Sequence, residues 1–107
     1  MLPEGKYAAR FRTDALEGMG VIELSNGQIT GRDTVLSYSG TYTQCGDHFS
    51  AHIKTSRHSR GDVVLFGLDE VDIELNGTSK DRTASGNGRV KQIHEAIFKV
   101  VLVRMTD

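Results

Sequence analysis

The sequence predicts an all-β fold, a small antiparallel up-and-down barrel of about eight strands. Apolar residues recur at every second position almost from end to end, which is the period of a strand with one buried face. Gly, Asn, Asp and Ser interrupt that pattern at spacings of roughly eight to twelve residues, the rhythm of short strands joined by turns. At 107 residues the chain suffices for one domain, residues 1–107, and for no second core. An apolar fraction of 37% with 25% charged residues suits a thin-walled barrel better than a thick layered core.

The first strand is expected over 5–13, with Tyr7, Ala9 and Phe11 facing in and Arg10 and Arg12 facing out. Gly18-Met19-Gly20 opens the second. Asn26-Gly27 lies between Val21-Ile22-Glu23-Leu24-Ser25 and Gln28-Ile29-Thr30, and both residues of that dipeptide tolerate positive φ, so it marks a tight hairpin. Gly31-Arg32-Asp33 ends the third strand. Residues 36–44 make the fourth, with Tyr38, Gly40 and Tyr42 on one side, and Cys45-Gly46-Asp47 turns the chain into a fifth running from His48 to Thr55.

The rhythm breaks over 56–69, where a polar stretch precedes the apolar run Val63-Val64-Leu65-Phe66; periodicity allows either a helical turn or a buried crossing segment. The sixth strand, 70–76, sets Val71, Ile73 and Leu75 against Glu70, Asp72 and Glu74. Asn76-Gly77-Thr78 has the form of a glycosylation sequon, but with no secretion signal in view it reads as a turn. Residues 83–90 form a glycine-rich seventh strand, with Gly86 and Gly88 on one face where a neighbour can approach closely. The last strand is expected over 95–105. Helical spacing of Val90, Ile93, Ile97 and Val101 competes there, but the β-branched Val100, Val101 and Val103 favour a strand.

That last strand is apolar on both sides. Ala96, Phe98, Val100 and Leu102 face in, while Ile97, Val101, Val103 and Met105 face out, interrupted by Lys99. A doubly apolar strand requires cover on both faces. The expected outer cover is a second copy of the chain, with Met19 and Val21 in the same patch; residues 58–68 folding over it are the alternative.

No catalytic signature accompanies the barrel. His48 and His52 share a face but lie four residues apart on a strand, about 13 Å, too far to share an ion, so neither a metal nor a cofactor is expected. His94-Glu95 reads as a solvated pair. Cys45 beside His48 invites a thiol nucleophile, yet nothing around it matches a known catalytic context, and one cysteine makes no internal disulfide. Gly86-Asn87-Gly88 lacks the later glycine and the strand-to-helix setting of a phosphate loop. The inward aromatics Tyr7, Phe11, Tyr38, Tyr42, Phe49 and Phe98 either fill the barrel or line a ligand cavity; in so short a chain filling is the simpler outcome. The outward carboxylates Glu70, Asp72 and Glu74 are a solvated face that also offers a surface to a basic partner.

A net charge of −1 and a pI near 6.4 give no basic field for direct binding of nucleic acid. Nowhere do 18 apolar residues run together, and the start of the chain has no apolar stretch of signal length, so a cytoplasmic protein without membrane attachment is expected.

Gly5-Lys6-Tyr7, Gly18-Met19-Gly20, Asn26-Gly27, Ile29-Thr30-Gly31-Arg32-Asp33 and Tyr38-Ser39-Gly40-Thr41-Tyr42 leading into Cys45-Gly46-Asp47 resemble the GrlR family. This family consists of lipocalin-like barrels named for a negative regulator of type III secretion. The resemblance implies a bacterial, non-enzymatic homodimer that binds a transcriptional activator. In the family's founding regulator a Glu-Asp-Glu-Asp loop recognises that activator; the matching positions here are Gln44, Cys45, Gly46 and Asp47, of which only Asp47 is acidic. The partner's identity therefore transfers less readily than the fold. The expected function is regulatory binding of a protein, with a small-molecule (lipid-like ligand) barrel as the alternative and an enzyme built on Cys45 or a histidine as the third reading.

Overall fold

In the computed structural model the chain forms a closed antiparallel barrel. Its strands are β1 (Gly5–Arg12), β2 (Glu17–Ser25), β3 (Gln28–Arg32), β4 (Leu36–Cys45), β5 (His48–Arg57), β6 (Glu70–Lys80), β7 (Thr83–Val90) and β8 (Ile97–Arg104). Each strand pairs with the next and β8 closes on β1, so the sheet has no free edge. The structure describes residues 1–13, 17–33, 36–57, 70–92 and 97–105, and these contain no helix.

Alternation decides which residues meet inside. Tyr7, Leu24, Ile29 and Phe98 are the largest fully buried side chains, and every strand contributes residues at a period of two to one continuous core. The Asn26-Gly27 hairpin has both residues at positive φ, 51° and 75°, as its sequence requires. Phe98 pairs across the ladder with Gly88, and its ring lies over that residue in the space a β-carbon would need.

Several expected boundaries shift. Asn76-Gly77-Thr78 is no turn: it lies within β6, paired to both β5 and β7, and the chain reverses later at Asp81-Arg82. The inward alternation continues through Leu75, Gly77 and Ser79, so the sheet period outweighs the local turn composition. Gly77 faces Gly86 across the β6–β7 ladder, and a side chain on either would strike the other strand's backbone. β5 runs two residues past Thr55, and β1 stops one residue short of Thr13. Val90 ends β7 and Val101 sits inside β8, which excludes a continuous helix over 90–101. Of the expected break at 56–69, Ser56 and Arg57 belong to β5 instead, and 58–69, like the pair His94-Glu95 and Ala96, fall outside the described residues.

The turns at 26–27, 46–47 and 81–82 share one end of the barrel with residues 1–4. There Glu4 accepts a hydrogen bond from the Asn26 N–H, and the Ser79 N–H donates 2.7 Å to the Asp47 carbonyl.

Candidate functional site

Strand register fixes which outward side chains are neighbours. On β2, β1 and β8, Val21, Ala8 and Val103 stand abreast, and Met19, Arg10 and Val101 form the next row. Met105 continues the strip beside Lys6, to whose carbonyl its N–H donates at 2.9 Å. These apolar side chains are solvent-exposed, Met19 to 60% and Val103 to 46%. Ile97 is exposed as well, but it pairs with Arg89 and lies beyond Lys99, about 13 Å along the strand from Val101. The expected dimer residues thus divide into a contiguous five and one outlier.

Charges bracket the strip. Lys6 stands opposite Glu23 at one end and Arg12 opposite Glu17 at the other, with Arg12 Nε 3.7 Å from Glu17 Oε1. Arg10 lies between Met19 and Val101 and pairs with no carboxylate among the described residues. Sequence reading placed Arg10 outside but gave it no role; only the cross-strand register reveals that it sits in the middle of the apolar rows.

The wall around β4, β5 and β6 has a different chemistry. His52 Nε2 is 3.4 Å from Glu74 Oε1, Ser50 Oγ donates 3.0 Å to Asn76 Oδ1, and Lys54 stands beside Asp72. Gln92 holds Asp72 from two sides: its Nε2 donates to Asp72 Oδ2 and its Oε1 accepts the Asp72 N–H, each at 2.8 Å. Of the expected acidic column, Glu70 and Glu74 are exposed and Asp72 is half-buried. An open polar groove of about 420 Å³ runs beside them, lined by Ser39, Lys54, Ser56 and Gln92.

The 44–47 turn is already engaged. Gln44 Oε1 accepts the Leu2 N–H at 2.7 Å while its Nε2 donates 3.1 Å to the Leu2 carbonyl, and the Met1 amino group lies 3.3 Å from Asp47 Oδ1. Gly46 turns the chain at φ 59°. Cys45 is exposed and stands opposite His48 in the ladder, yet the imidazole contacts Ser50 Oγ at 3.2 Å. Among the described residues no group of three His, Cys, Asp or Glu is placed to hold a metal ion.

All six inward aromatics point into the barrel, and five of them meet ring to ring, Tyr7 lying instead against Arg104. Phe11 meets Tyr38 and Phe98 edge-on, at centroid separations of 5.8 and 6.1 Å, and Tyr42 stacks on Phe49 at 5.8 Å. The Tyr38 hydroxyl donates to Asp33, whose other oxygen accepts the Leu36 N–H at 2.6 Å. Burial, then the Asp33 hydrogen bond and charge, push the Tyr38 phenol well above its ordinary range. Burial also raises Tyr7, against the opposing pull of Arg104, whose guanidinium lies 5.7 Å from the ring centroid. Between Phe11, Tyr38, Phe98 and Ile73 remains a void of about 20 Å³, and beside Phe49, Gly77, Gly86 and Val100 one of about 10 Å³. Each accommodates about one water-sized sphere, while ligand pockets of drug-like size need roughly 300 Å³ or more.

Neither a family model nor a curated protein matches the chain.

Proposed function

We propose that the protein is a non-enzymatic, dimeric regulatory barrel of the GrlR kind, which binds protein partners through its outer wall. The observation that carries this reading is the contiguous apolar strip of Met19, Val21, Val101, Val103 and Met105 outside a barrel whose described inner side chains leave voids of about 20 and 10 Å³ between them. Exposed apolar area of this kind marks an interaction surface. The tight packing among the described inner side chains favours this reading over a small-molecule carrier.

The β1–β2 part of this face is self-complementary, as a two-fold interface requires, and the β8 residues Val101, Val103 and Met105 flank it. β1 bears Lys6, Ala8, Arg10 and Arg12 at the same heights at which β2 bears Glu23, Val21, Met19 and Glu17. A two-fold axis parallel to the strands and between β1 and β2 therefore sets Lys6 and Arg12 of one copy over Glu23 and Glu17 of the other. Val21 and Met19 cover Ala8 and the stem of Arg10 in the same arrangement. The opposite wall stays open, and there Glu70, Asp72 and Glu74 offer ordered carboxylates to a basic regulator such as a transcriptional activator.

Transcript profiling after deletion of the gene tests the regulatory role. The expected result is a changed set of transcripts, restored by the wild-type gene but not by a Glu70→Lys, Glu74→Lys double variant. An unaltered profile contradicts the proposal.

A further inference from the structure

Residues 1–4 precede the first strand and cross the tight-turn end of the barrel as a strap. The chain bends out of β1 at Gly5, whose φ of +135° and close cover by the Arg104 guanidinium leave no place for a side chain. Beyond that hinge the strap is held in a specific way. Gln44 reads the backbone of residue 2 in both directions, the Tyr7 hydroxyl donates to the Pro3 carbonyl, and the Leu2 side chain, 4% exposed, joins the core. Pro3 has no N–H that would need a partner. Recognition thus combines a backbone clamp with a leucine-sized apolar socket, and release of the strap breaks none of the ladder pairing between strands.

We infer that this end of the barrel is a peptide site, filled in cis by the chain's own strap, which accepts from another protein an extended segment carrying a leucine-sized residue followed by proline. Strap and incoming segment compete for the same socket. The inference stands apart from the outer-wall reading, because the site lies at the barrel end and uses none of the residues of the strip.

The test uses the full chain carrying Leu2→Asp, which expels the strap, and the synthetic peptide Met-Leu-Pro-Glu-Gly as probe, followed by NMR on the backbone amides of Cys45, Gly46 and Asp47. Saturable shifts are expected, at least about tenfold weaker in the wild-type protein, at least about tenfold weaker with Met-Ser-Pro-Glu-Gly, and lost when Gln44→Ala is added. No saturable shift in a folded Leu2→Asp variant, or equal binding by the serine peptide or the wild type, overturns the inference. Should Leu2→Asp fail to fold, the same titration on the milder Leu2→Ser decides, no saturable shift there overturning the inference, and amide exchange in the wild type tests the clamp itself. The residue-2 N–H, which in a free terminus exchanges at the open-chain rate, is expected to be protected at least about tenfold and to lose that protection in Gln44→Ala. Open-chain exchange in the wild type refutes the clamp.

Discussion

The walls centred on β1 and on β5 share one interior and differ almost entirely outside. On the β8–β1–β2 side the outward rows are apolar, with Arg10 at their centre paired to no carboxylate among the described residues and charges at the two ends. On the β4–β5–β6 side nearly every outward group is polar and several are partnered, as His52 is with Glu74, Ser50 with Asn76, and Asp72 with Gln92. A closed barrel needs only its inner face to fold, so the outer face is free to vary. Where it departs from solvated polarity, the departure calls for a binding explanation rather than a folding one.

Four substitutions test that contrast, in descending order of effect. Phe98→Ala cuts into the interior common to both walls and is expected to cost about 3–5 kcal/mol in urea unfolding, with amide protection falling together in β1 and β5. Loss confined to one wall would show that the barrel is not one cooperative core. Val101→Asp, on the outer strip, should weaken self-association at least tenfold, about 1.4 kcal/mol, in sedimentation equilibrium while leaving the monomer folded. Tyr38 adds a pH signature. Its folded pKa lies above the unfolded value near 10, so its contribution is complete below about pH 10 and declines as pH rises beyond it, by at most about 1.4 kcal/mol per unit. Tyr38→Phe is expected to be less stable at neutral pH, having lost the Asp33 bond, and to show a shallower alkaline decline. On the polar wall His52→Ala removes an exposed pair and should change stability by no more than about 0.5 kcal/mol; a larger loss would mean that this wall, too, has a structural or binding role.

The sequence made the barrel legible because side-chain alternation is local: residues such as Val71, Ile73 and Leu75 declare their face within a few positions. The outward face of β8 was legible for the same reason. Asn76-Gly77-Thr78 misled because a strand glycine and a turn glycine look alike until the partner strand is known, and here the partner is Gly86. Lateral register was equally hidden, so nothing in the chain placed Arg10 between Met19 and Val101 or set Ile97 apart from the strip. The strap was invisible too, since Leu2 and Gln44 lie 42 residues apart and carry no motif.

Static light scattering of the purified wild-type protein at micromolar concentration, with Met19→Glu beside it, addresses the central claim directly. The account predicts twice the 11.7 kDa mass of one chain for the wild type and a single-chain mass for the variant. A wild type at 11.7 kDa, or a variant that keeps the doubled mass, would contradict it.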